Sequence, residues 1–296
     1  MRNRFLIRYN SMSMTRLFIA SVLLCFSSLL SAQPLLSLRG EPAPGALLIG
    51  QVESGAKVWL DDRALRVNAD GYFVFGFGRD AQGESLLRIE GQAGKQERLI
   101  ELRKREWNIQ RVEGVPARTV TPPAEELARI RAETALVRAA RQTDSDLAAF
   151  VEPFVWPASG RISGVYGSQR FYNGNPGNPH LGVDIAAPTG SPVIAPAAGV
   201  VTLVHQDMFY SGGTLVLDHG MGLSSTFIHL ERVLVEKGQH VGQGDLIAEI
   251  GATGRATGPH LDWRLNWYQE RLDPQWFMGG MQATQVKAGT PMAGTD

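Results

Sequence analysis

SPVIAPAAGVVTLVHQDMFYSGGTLVLDHGMGLSSTFIHLERVLVEKGQHVGQGDLIAEIGATGRATGPHLDWRL, residues 191–265, is the stretch on which the fold turns. Short apolar runs alternate in it with glycine-rich connections: Val193-Ile194, Gly199-Val200-Val201, Thr214 to Leu217, Ser225 to Ile228, Leu246 to Ile250 and Leu261 to Leu265. Runs this short, bounded by turn residues, predict strands joined by tight turns. The expectation is a mainly β region beginning near Val155, an open sheet of hairpins spanning residues 151–275.

Upstream, residues 33–105 read as a small β-sandwich-like domain. Val58-Trp59-Leu60 is strand-like, Asn68-Ala69-Asp70-Gly71 is a turn signal, and Tyr72 to Phe75 follows it as a strand whose aromatic residues face a core. Leu86 to Ile89 and Arg98 to Leu102 are two further strand candidates. Residues 106–150 read as a linker holding a helix over 121–147. Thr121 caps it, Pro122 and Pro123 suit its first turn, and Glu125 and Glu126 suit its positive end. Leu127, Ile130, Val137 and Ala140 recur at helical spacing, while Arg129, Arg131, Glu133, Arg138 and Arg141 make a charged face expected in solvent. The helix is read as a connector between two domains, and residues 276–296 as a flexible tail.

Residues 1–32 begin with Arg2, Arg4, Arg8 and Arg16, continue through the apolar run Leu17 to Leu30, and end in Ser31-Ala32. That order is the signature of a secretory signal peptide, and the run is short for a membrane span. The expected location is therefore the periplasm or cell envelope. The one cysteine, Cys25, lies inside the run, so an exported chain has no thiol for a disulfide or a metal. The 296 residues carry 29 basic and 29 acidic side chains, and this balance, without a basic excess, argues against a nucleic-acid partner.

Three histidines have company that suggests chemistry. His180 and Asp184 form a His-x-x-x-Asp pair with Gly182 between them, read as permitting a bend that brings both to one ion. His260 and Asp262 stand two apart, on one face if the segment is a strand. His229 ends the strand-like Ser-Ser-Thr-Phe-Ile-His. Each of the three signals recurs by chance, and a lone strand histidine is usually structural. His205 and His240 read as surface residues, and His219, at a hairpin turn, reads as structural.

Together these segments resemble the lysostaphin/LytM-type zinc metallopeptidase family over roughly residues 155–270. The likeness rests on Tyr166-Gly167-Ser168-Gln169-Arg170, PHLGVDIAAPTGSPVIAPAAGVV (179–201) and the stretch from Leu215 to Leu265. It implies Zn2+ held by His180 and Asp184, with Asp262 where the family carries a third histidine ligand. It implies His229 and His260 as a catalytic pair and Tyr210 as a residue steadying the oxyanion. The implied activity is hydrolysis of peptide cross-links in bacterial peptidoglycan, with stem peptides as the partner. The alternative is a non-hydrolytic regulator that binds cell wall and activates an amidase. Retention of both His229 and His260 favours the enzyme. A third reading, a lipoyl-like carrier at Val241 to Ile247, lacks a lysine at the hairpin tip.

Overall fold

The alternation in residues 191–265 becomes the long strands of one ten-stranded sheet in the computed structural model, which describes residues 35–112 and 124–278. The strands in chain order are β1 (Leu35–Arg39), β2 (Leu47–Val52), β3 (Lys57–Leu60), β4 (Arg63–Leu65), β5 (Tyr72–Gly76), β6 (Glu84–Gly91), β7 (Gly94–Glu101), β8 (Ile109–Val112), β9 (Arg161–Gly164), β10 (Gln169–Tyr172), β11 (Asn175–Pro176), β12 (Val183–Ala186), β13 (Pro192–Ile194), β14 (Gly199–Met208), β15 (Gly212–Gly220), β16 (Leu223–Val233), β17 (His240–Val241), β18 (Leu246–Ile250), β19 (His260–Trp267) and β20 (Glu270–Leu272). Two helices accompany them, α1 (Leu127–Arg141) and α2 (Pro274–Met278).

The large sheet runs β17-β14-β15-β16-β19-β12-β9, with β13, β18 and β20 paired alongside. Its central strands are antiparallel, so side chains directly opposite one another share a face. On β19, Leu261, Trp263, Leu265 and Trp267 point to the apolar side and are buried. His260, Asp262, Arg264 and Asn266 fall on the other face by the two-residue period of a strand. Ile228, Thr226 and Ser224 of β16 stand opposite the last three of these. The sheet thus has a dry face and a polar face, and the polar face carries the chemistry.

The N-terminal strands form two small sheets, β1-β2-β5 and β4-β3-β6-β7. Phe73 and Phe75 are fully buried, as the strand reading expects, and their rings stack at 6.0 Å. They belong to the same continuous apolar core as Phe150, Trp263 and Leu272. A Cβ at Gly76 would collide with the Leu272 side chain, so β5 and β20 touch directly. The N-terminal strands therefore share the core of the large sheet.

The helix is shorter than the 121–147 expectation. A 3-10 turn at Ala124–Glu126 leads into it, and Glu126, which makes no side-chain cap, stands before its first residue. The proposed caps Thr121, Pro122 and Pro123 lie outside the described residues, as do residues 1–32 and the tail beyond residue 278. No described helix is long and apolar enough to cross a membrane. Two parts of the helix reading need correction. α1 packs on the polar face of the large sheet, where Val137 and Ala140 meet Leu203, Met208 and Val216. Arg141, assigned to a solvated face, is 6% exposed. The same docking holds the turn after β14: Arg129 donates to the Asp207 carbonyl at 2.6 Å, and Glu133 accepts from the Phe209 N–H at 2.8 Å.

Candidate metal centre and catalytic site

β12 and β19 pair with Asp184 directly opposite Asp262. Cross-strand neighbours on one face stand about 5 Å apart at Cβ, so two carboxylates are forced together there. His180 joins them from the segment before β12. Its backbone is clamped to residues 167–168, its N–H donating to Ser168 O at 2.8 Å and its carbonyl accepting from the Gly167 N–H at 2.7 Å. His180 Nε2 then lies 3.0 Å from Asp184 Oδ1 and 3.4 Å from Asp262 Oδ2. The ligand atoms of all three residues fall within 4.8 Å of one another.

This cluster suits a metal ion by two observations. His180 Nε2 and Asp184 Oδ1 are buried atoms without a hydrogen-bond partner, so their short approach is not a formed hydrogen bond. Buried polar atoms are almost always paired, and a cation between these two would pair both. In addition, His180 Nδ1 faces the Val165 carbonyl at 3.2 Å. A carbonyl oxygen only accepts, so Nδ1 carries a proton in either charge state, and in the neutral ring Nε2 is the nitrogen that a metal would take. The electrostatics agree. Burial lowers the pKa of His180, but Asp184 and Asp262 outweigh it and push it up to about 10. The centre attracts positive charge.

Glycine makes the room. A Cβ at Gly182 would overlap Asp262 Oδ1, and one at Gly164 would overlap an Asp184 carboxylate oxygen. Gly182 is not among the glycines with positive φ, so its contribution is space for a carboxylate and not the bend that the sequence reading assigned.

His229 and His260 sit beside the cluster with ring centroids 4.8 Å apart. His260 Nε2 is 3.8 Å from Asp184 Oδ1. Both rings are oriented through Nδ1, His229 against the Thr253 carbonyl at 2.9 Å and His260 against the Gly258 carbonyl at 2.8 Å. Both Nε2 atoms are therefore free to accept a proton. His229 adopts φ 65°, an uncommon conformation for a residue with a side chain, where β16 is irregular. Its N–H donates to Ser211 O at 2.8 Å and its carbonyl accepts from the Gly251 N–H at 3.0 Å, which holds the strained residue in place. Burial pushes its pKa down, favouring the neutral ring.

Tyr210 lies in the turn between β14 and β15, with the Arg255 guanidinium 4.4 Å from its ring centroid. It lines a cleft shared with Arg264. His219 is fully buried and structural, its ring nitrogens against Ala198 O at 2.9 Å and Ser225 Oγ at 2.8 Å. The Asn/Gly/Pro-rich stretch after Gln169 is an ordered hairpin, β10 with β11, and β10 also pairs in parallel with β8.

Sequence reasoning missed Arg264. It donates from Nε and Nη2 to both oxygens of Asp262 at 2.6 to 3.2 Å. Burial would raise the pKa of Asp262, but the charge and hydrogen bonds of Arg264, with the His180 ring close by, hold it well below the usual range. The signal was present: Arg264 follows Asp262 by two residues on a strand, hence on the same face. Its charge has a consequence. His180, Asp184 and Asp262 carry two negative charges, and Arg264 returns one, leaving the same net charge as the His, Asp, His set that the resemblance implies.

Residues 178–274 match the family described as Peptidase family M23. Peptidoglycan DD-endopeptidase ShyA of Vibrio cholerae is 37% identical over 115 residues, which is 39% of this chain and 24% of that protein. Peptidoglycan DD-endopeptidase ShyB of the same organism is 46% identical over 83 residues, 28% of this chain and 19% of that protein. The matches thus span a quarter or less of these relatives. Among solved structures, a Pseudomonas aeruginosa protein assigned to peptidase M23 superposes with a TM-score of 0.59 at 29% identity, covering 82% of this chain and 96% of that one. That coverage reaches well beyond the site-bearing sheet. Residues 178–274, which hold the entire His-Asp-Asp cluster and both flanking histidines, are a peptidase family M23 domain.

Proposed function

We propose that the chain is a zinc-dependent endopeptidase that hydrolyses peptide cross-links of peptidoglycan after export to the cell envelope. The observation that carries this reading is the buried pair without hydrogen-bond partners, His180 Nε2 and Asp184 Oδ1, beside two histidines with bare Nε2 atoms. His180, Asp184 and Asp262 would hold the ion, which when bound supplies Lewis acidity to a carbonyl and acidity to a water. His229 or His260 takes the proton of the attacking water at Nε2. Once protonated, the same ring donates a hydrogen bond towards the charge developing on the scissile carbonyl oxygen, and then gives the proton to the leaving amine nitrogen as the C–N bond breaks. The carbonyls of Thr253 and Gly258 keep both rings aimed throughout. Tyr210, from the β14–β15 turn, bounds the substrate groove on the α1 side and is assigned to steadying the oxyanion.

The test is metal content and cross-link cleavage measured together on the exported protein, with His180→Ala and His229→Ala beside it. About one zinc per chain with cleavage, both lost in His180→Ala, and cleavage alone lost in His229→Ala, is the expected result. No bound metal and no cleavage would replace this reading with the regulatory one, a cell-wall-binding domain acting on an amidase. Export is checked separately, by fractionating cells that produce the full chain.

A further inference from the structure

Three arginines converge on the cleft that Tyr210 bounds, and the chemistry above gives none of them a substrate contact. The cavity, about 180 Å3, lies between α1 and the polar face of the sheet, lined by Arg141, Arg264, Arg271, Glu133 and Tyr210 among others. Arg141 is 6% exposed, and its Nη1 is buried with no hydrogen-bond partner. Its Nε donates weakly to the Val137 carbonyl at 3.3 Å. Arg271 donates to a neutral group, Asn266 Oδ1, at 2.8 Å. The nearby carboxylates are already engaged. Asp262 is held by Arg264, and Glu133 binds Arg129 at 2.7 Å and the Phe209 N–H at 2.8 Å. Burial, with Arg264 and Arg138 nearby, lowers the Arg141 pKa to about 10, so it stays charged at neutral pH. Burial and the charges of Arg141 and Arg264 likewise push Arg271 well down.

A buried cation such as Arg141, left without an anion, is unfavourable in a folded chain unless something pairs it. Guanidinium forks match the planar, bidentate geometry of a carboxylate. Arg264 belongs both to this cavity and to Asp262, so a group seated here lies next to the metal centre. We propose that this cavity is a carboxylate-binding subsite, in which Arg141 and Arg271 seat a free carboxylate of the peptide substrate beside the scissile bond. The assignment of that carboxylate to a peptide substrate rests on the enzyme reading above.

The probe pair is N-acetyl-D-alanine as the free acid and as its primary amide, titrated against the metal-loaded full chain and against Arg141→Met and Arg141→Lys. The expected result is a preference for the acid of about tenfold in the parent protein, in line with charge-assisted hydrogen bonds. That preference should vanish in Arg141→Met and partly survive in Arg141→Lys. Arg141→Met should also raise Tm, because it removes an unpaired buried charge. Equal binding of acid and amide, an acid preference that survives Arg141→Met, or a lower Tm in that variant would overturn the subsite. Cross-link cleavage by the parent protein is run in parallel. Cleavage without acid preference removes the subsite alone, and acid preference without cleavage removes the enzyme reading alone.

Discussion

Arg264→Met tests how an aspartate serves at position 262. The Asp262 side chain is 3% exposed and takes its three hydrogen bonds from Arg264 at 2.6, 3.0 and 3.2 Å. Removing one partner of a buried ion pair costs about 3–5 kcal/mol, because the other charge stays buried and unpaired. That loss is expected in full when the protein is metal-free. With zinc bound, the ion takes over part of the role of Arg264, and the loss should shrink. Asp262→His alone also costs stability, since it leaves the half-buried Arg264 beside a cation without its Asp262 partner. The double variant, Asp262→His with Arg264→Met, keeps the net charge of the ligand set and should recover most of the stability. Urea unfolding of the four proteins at pH 7, in EDTA and in excess zinc, gives a double-mutant cycle with an expected coupling of about 2 kcal/mol or more. If Arg264→Met in EDTA unfolds within about 0.5 kcal/mol of the parent, or the two substitutions simply add, the pair is not what stabilises Asp262.

Three other outcomes follow from particular contacts. Burial pushes the pKa of His219 down to about 4 from 6.5, so the unfolded chain binds a proton that the folded chain refuses. Stability is then complete above pH 6.5 and falls as the pH drops toward 4, by about 3 kcal/mol in all; an equally steep fall in His219→Asn would refute this assignment. Gly182→Ala pushes a methyl group into Asp262 Oδ1 and should weaken zinc binding by about 10–100-fold in a chelator competition, the usual range for a disturbed ligand environment. Phe150→Ala empties a fully buried position in the core shared by the N-terminal strands and the large sheet. It should cost about 3–5 kcal/mol, and calorimetry should still show one transition, whereas two separated transitions would mean that the two parts do not unfold together.

The strands from residue 191 onward were legible because their side-chain period and their turn residues are local properties. That His260 and Asp262 share a face was also legible, since a spacing of two residues places side chains on one face of a strand, whereas His180 lies before β12 and reaches Asp184 through the path of the chain there. The place of α1 was not. Its charged residues repeat as a solvated helix would have them, and nothing local distinguishes Arg141, which is buried, from Arg131, which is exposed. The shared core was equally hidden, because Phe73, Phe150 and Leu272 are far apart in the chain.

The sequence by itself determined the β architecture, the family resemblance and the residue types of the centre, because all three reside in short-range pattern. Tertiary structure alone decided that Asp184 stands opposite Asp262, that Arg264 neutralises the aspartate in a histidine's place, and that α1 closes an arginine-lined cavity beside it. Strand register and helix docking are settled by which distant surfaces exclude water from one another, and that is a property of the packed chain.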